Sequence, residues 1–157
     1  MNNLKEPYGL GQAILRAPWW TVTDIWQRHV YFVRHLHYCD LAKRTLVKKR
    51  ILRLGRYFVQ KAWIDYQAPM EWHEKLKIEI FLAGLHKKEK VPLLKYSIYS
   101  LKRNLLLAEA YLLYHPPLSR RTYREGLFFD EGLRRKVLKL LATDLSPSAV
   151  DKSFCGQ

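Results

Sequence analysis

Hydrophobic positions spaced three and four residues apart, interrupted by polar or proline-bearing stretches, divide this chain into candidate helices. From Met1 to Trp20 two Gly and two Pro break any period, so residues 1–20 are expected to form an irregular arm ending in the pair Trp19 and Trp20. The next 34 residues contain neither Gly nor Pro. Thr21 to Asp24 reads as a helix start and Asp40 as a second N-cap, which splits the stretch into helices over 24–38 and 41–66. In the first, Ile25, Phe32 and Leu36 lie near one face; in the second, Val47, Ile51, Leu54, Phe58 and Ala62 form a stripe. The pattern pauses at Pro69 and resumes over 70–85 through Trp72, Leu76, Ile80 and Ala83. After a polar connector, His86 to Lys90, Pro92 opens a fourth helix. Its positions Leu94, Ile98, Leu101, Leu105, Ala108 and Leu112 alternate steps of four and three, a seam for packing along another helix, and Pro116 and Pro117 end it. Strand-like alternation is read as almost absent. The expectation is an all-α fold: a helical bundle over 21–117, preceded by the arm 1–20 and followed by a basic loop, a short helix over 130–142 and a tail within 118–157.

The length of 157 residues suits one domain. A hydrophobic content of 48% excludes a disordered chain. Twenty-eight Lys and Arg against 14 Asp and Glu give a net charge of +14, which favours an anionic partner: RNA, an acidic protein face or a membrane surface. The excess is concentrated at Lys43, Arg44, Lys48, Lys49, Arg50, Arg53, Arg56 and Lys61, with no acid among them. A single-sign run repels itself, so these eight are the candidate partner-binding residues. Cys39 and Cys155 are too few for a disulfide framework, and no apolar run is long enough to be read as a spanning helix. Ile14, Leu15, Arg16 and Trp19 are compatible with a mitochondrial address.

Two clusters invite a chemical reading. His35, His37 and Cys39 are good zinc ligands by type, but on a helix His35 and Cys39 share a face while His37 points nearly opposite, so no metal site is expected and Cys39 reads as a buried apolar group. Glu71, His73 and Glu74 read as charges at a helix start, with no nucleophile or Gly-rich turn beside them, and no catalytic residue is expected.

The segment Arg50 to Arg56 (RILRLGR), followed by Phe58, resembles the opening helix of the LYR-motif family of small mitochondrial three-helix subunits, with Gly55 in place of the motif tyrosine. The stretch Met70 to Phe81 is similar to that family's second helix. The His86 to Lys90 connector and the His115 to Pro117 exit resemble those of the LYR subunit of the complex I distal membrane arm, so the likeness covers about residues 46–117. The resemblance implies a non-catalytic accessory or assembly subunit of a mitochondrial respiratory complex, with no cofactor of its own. It also implies binding to acyl carrier protein, whose acyl-phosphopantetheine chain would enter a core lined by Leu54, Phe58 and Phe81 while Arg56 meets the carrier's acidic helix. The alternative left open by the residues is an organellar ribosomal protein that binds rRNA through basic helices and arms.

Overall fold

In the computed structural model of the chain, residues 2–16, 32–49, 58–71, 74–85, 92–115 and 145–146 are described. They form one antiparallel sheet and one helix. Strands β1 (Asn2–Arg16), β2 (Phe58–Tyr66), β3 (Lys75–Leu85), β4 (Pro92–Ser100), β5 (Leu105–His115) and β6 (Leu145–Ser146) are ordered β2-β5-β4-β3-β1-β6 across the sheet. Helix α1 (Phe32–Lys48) lies against one face, closest to β1 and β3.

The expected all-α bundle is therefore overturned, and the residues show why. In β3, Leu76, Ile78, Ile80 and Leu82 are fully buried, while Lys77, Glu79 and Phe81 between them are half-buried. That is a period of two, the signature of a strand with unlike faces. The apparent heptad seam of 94–112 is consistent with the same period, because a step of four is also two steps of two. Leu94 and Ile98 share one face of β4, and Ala108 and Leu112 the corresponding face of β5. The odd members fall at the hairpin: Leu101 begins its turn, Leu105 is exposed beyond it, and Asn104 takes a positive φ of 49° at its tip. Helix periodicity is further mimicked because β4 is buried on much of both faces, leaving only Lys95 and Tyr99 half-buried. In β2, Val59, Trp63, Ile64 and Tyr66 supply the branched and aromatic side chains that fit a pleated surface.

The arm expected over 1–20 is also corrected, since residues 2–16 form the longest strand. Its register on β3 shifts between Asn3 and Tyr8, around Pro7, and again between Gly9 and Gly11, so the residues that look like breakers sit where the ladder is already irregular. Gly11 has φ 150°, and a Cβ there would lie 2.9 Å from Leu46 Cδ2 on α1. A side chain at that point would force the terminal methyl of Leu46 to shift. The two helices expected over 24–38 and 41–66 are replaced by α1, which runs through Asp40 without a break, and then by β2. Residues 24–31 of the first lie outside the described residues, as do Trp19 and Trp20, the 86–90 connector and the short helix expected over 130–142.

The core lies between α1 and the sheet face that carries Leu76, Ile78, Ile80, Leu82, Leu94, Ile98 and Leu112. Each such side chain, fully buried, contributes about 1.5–3 kcal/mol. Tyr38, Cys39, Ala42 and Leu46, at helical spacing, form the buried stripe that α1 sets against them. At one end of the sheet, Glu74 just before β3 takes Arg103 Nε at 2.7 Å and Nη2 at 2.9 Å, the Ser100 hydroxyl, and the Glu71 amide at 3.1 Å. Arg103 Nη2 also donates to the Pro69 carbonyl at 2.7 Å. The carboxylate thereby ties the β4–β5 turn to the chain entering β3.

Candidate active site

Polar side chains gather along one flank of α1, where it faces β2, β4 and β5. His35 is buried and meets the Tyr66 ring of β2 edge-on, with centroids 4.9 Å apart and planes at 84°. One turn on, Cys39 is fully buried, and burial first, then the neighbouring Asp40 charge, pushes its thiol far above the ordinary value. It is neither a nucleophile nor a ready ligand at neutral pH.

Asp40 sits beside it at the rim, its side chain one-third exposed. Lys43 Nζ approaches its Oδ1 at 2.8 Å and Arg44 Nε its Oδ2 at 2.7 Å. Partial burial alone would raise this carboxyl, but the hydrogen bonds and charges of Lys43 and Arg44 outweigh it and hold it below the usual carboxylate value. Asp40 is thus an anion at neutral pH. The two cations differ: the Arg44 side chain is 67% exposed, that of Lys43 only 6%. Lys43 reaches inward and places its ammonium 5.1 Å from the centroid of the Tyr114 ring, a cation–π contact. Under it, the hydroxyls of Tyr114 and Tyr96 meet at 2.6 Å in the core. Burial is the largest cause that raises both phenols; the bond between them raises Tyr96 further and works against the shift at Tyr114, while neighbouring charge raises both, so both are protonated.

The expected site residues fall in several places. Lys43 and Arg44 belong to the Asp40 cluster; Lys48 and Lys49 are exposed at the end of α1, and Lys61 is exposed on β2. Phe58 opens β2 opposite His115, and Phe81 is on β3 opposite Gly9 and Lys95. These two are on strands three places apart in the sheet rather than on the facing helices of a three-helix core. Leu54, Arg50, Arg53 and Arg56 lie outside the described residues. His35 and Cys39 do share the inward face of α1, and His37 is exposed. Glu74, expected as a helix-start charge, is instead the buried anchor of the sheet end, and His73 lies outside the described residues.

Sequence reasoning misses Asp40, Tyr96 and Tyr114 as a group. Asp40 reads as a cap, although Lys43 and Arg44 at i+3 and i+4 are the spacing of a mid-helix ion pair. The tyrosines are brought together by the β4–β5 hairpin, which pairs Tyr96 with Ala110, four residues before Tyr114.

No protein-family model and no curated protein sequence matches the chain. Solved structures do match in fold. A protein of Pseudomonas aeruginosa strain PAO1 aligns with a TM-score of 0.60 at 18% identity, covering 94% of this chain and 99% of that one. The DHNA-CoA thioesterase of Staphylococcus aureus aligns with a TM-score of 0.57 at 12% identity, covering 85% and 93%. A thioesterase of Thermus thermophilus, complexed with coenzyme A and Zn, aligns with a TM-score of 0.55 at 17% identity, covering 79% and 95%. The fold is the hot-dog fold, a helix laid on an antiparallel sheet. It displaces the three-helix LYR scaffold, and with that scaffold goes the ground for reading a non-catalytic respiratory-complex subunit. The ribosomal alternative, which rested on basic helices, falls for the same reason. The acyl-phosphopantetheine expected on a carrier survives only in coarser form: the T. thermophilus protein of this fold holds coenzyme A.

Proposed function

We propose that this chain is a hydrolase of acyl thioesters, with coenzyme A as the carrier of the acyl group. The observation that carries the reading is Asp40: a partly buried carboxylate, held ionised on the helix of a fold in which thioesterases have been solved. A thioester carbonyl is electrophilic and its thiolate is a good leaving group, so hydrolysis needs a positioned water and positive charge for the carbonyl oxygen. Asp40 accepts a hydrogen bond from the water and takes up its proton as the oxygen attacks the carbonyl carbon. The exposed Arg44 guanidinium, beside the same carboxylate, is placed to stabilise the oxyanion of the tetrahedral intermediate. Collapse breaks the C–S bond, returns the proton to the thiolate, and yields the free acid and the thiol. Lys48 and Lys49, exposed at the end of α1, supply positive charge for the phosphates of the carrier.

The test is release of free thiol from a panel of short, medium, long and aromatic acyl-CoA esters by the purified chain, alongside thermal shift with coenzyme A. Turnover of at least one ester and a raised melting temperature are expected. Absence of thiol release from every ester, with no shift by coenzyme A, would overturn the reading.

A further inference from the structure

Asp40 has two cations, and only one of them is exposed. Arg44 would be enough to satisfy an i,i+4 pair on a helix surface, a contact that contributes little to stability. Lys43 is different. It is among the few charged residues buried in the described structure, and removing an ammonium from water is costly unless partners replace the hydration. Its partners are Asp40 Oδ1 at 2.8 Å and the face of the Tyr114 ring. Tyr114 is held in turn by its hydroxyl bond to Tyr96 on the neighbouring strand. The connection Tyr96, Tyr114, Lys43, Asp40 thus runs from β4 through β5 to the rim of α1. It ends on the candidate catalytic carboxylate.

We propose that Lys43 is a positioning residue for Asp40: seated on the Tyr114 ring, it fixes one oxygen of the carboxylate and leaves the other, toward the exposed Arg44, to face the substrate. The proposal rests on the thioester-hydrolase reading above. Lys43 and Arg44 on α1 contact Asp40 directly, and its charge is felt by Cys39 on α1, Tyr96 on β4 and Tyr114 on β5. Cys39 and the two phenols keep their protons through the neutral range, so the charge at the site is governed by Lys43 and Arg44.

The experiment compares Lys43→Met, Arg44→Met, Tyr114→Phe and Tyr114→Leu in the full chain. The Asp40 carboxyl is titrated by NMR, which needs no turnover, and kcat and KM are followed against pH with one acyl-CoA ester. Lys43→Met is expected to raise the Asp40 pKa by about one pH unit or more. The acidic limb of the rate profile should move up with it, and kcat should fall about tenfold or more with KM little changed. Arg44→Met should raise the pKa less. Tyr114→Phe keeps the ring under the ammonium and should leave the Asp40 titration close to that of the parent, although it removes the hydroxyl bond to Tyr96, whereas Tyr114→Leu should move Asp40 in the same direction as Lys43→Met. The tyrosine pair of variants decides the matter if Lys43→Met does not fold. An Asp40 titration unchanged in Lys43→Met, or equal behaviour of Tyr114→Phe and Tyr114→Leu, overturns the proposal. A shifted titration in a chain that hydrolyses no ester overturns the function instead and leaves the Lys43–Asp40 coupling standing.

Discussion

Tyr96 and Tyr114 share one hydrogen bond between two hydroxyls, and both side chains are buried. Removing either hydroxyl strands the other in an apolar setting, at a cost of about 1–3 kcal/mol. Removing both leaves two phenyl rings and no orphan. Tyr96→Phe and Tyr114→Phe should each destabilise the chain, and the double variant should be clearly less unstable than the sum of the two. Urea denaturation of all four proteins measures this, and additive losses would show that the hydroxyls are not coupled. At this scale the sequence is partly legible. The inward pairing of His35 with Cys39 and the apolar burial of Cys39 follow from helical spacing and hold in the structure. The chemistry around Asp40 does not follow, because half of it comes from Tyr96 and Tyr114, more than 50 residues downstream by the numbering.

Among the elements, the sheet end at Glu74 carries the most exacting polar contacts. Burial would raise this carboxyl, but hydrogen bonds from Arg103, Ser100 and the Glu71 amide, together with the Arg103 charge, hold it below the usual value. A carboxylate whose folded pKa is depressed adds stability above its unfolded pKa, about 4.3 for Glu, and that stability is lost as pH falls through the lower folded value. Glu74→Gln should therefore cost about 1.5–3 kcal/mol near neutral pH, the difference from the parent shrinking as the pH is brought below about 4. Equal destabilisation at neutral and at strongly acid pH, by chemical denaturation, would contradict the charge-based account. The elements themselves are misread from sequence for a specific reason. In Leu76 to Leu82 the alternation is plain, but the adjoining Ala83 and Leu85 extend the apolar set until a helical stripe fits as well. In β4 the burial of both faces removes the alternation altogether. Only α1 combines helical periodicity with a consistent polar flank, and it is the one helix among the described residues.

For the whole molecule, the positive charge is legible and its meaning is not. A net charge of +14 calls for an anion, and composition alone does not distinguish nucleic acid, an acidic protein or a phosphorylated small molecule. The hot-dog architecture brings a thioester of a phosphate-bearing carrier into that set, as a proposal that joins the basic end of α1 to the Asp40 rim. Sequence pattern misses the architecture because its strands pair through contacts distant along the chain, β1 with β3 and β2 with β5. Whether Asp40 is the base is decided by the rate of acyl-CoA hydrolysis by Asp40→Asn relative to the parent, with circular dichroism showing that both are folded. Loss of the carboxylate should lower kcat by about 10²–10⁴-fold, whereas an Asp40→Asn chain that hydrolyses the ester at the parental rate would contradict the account.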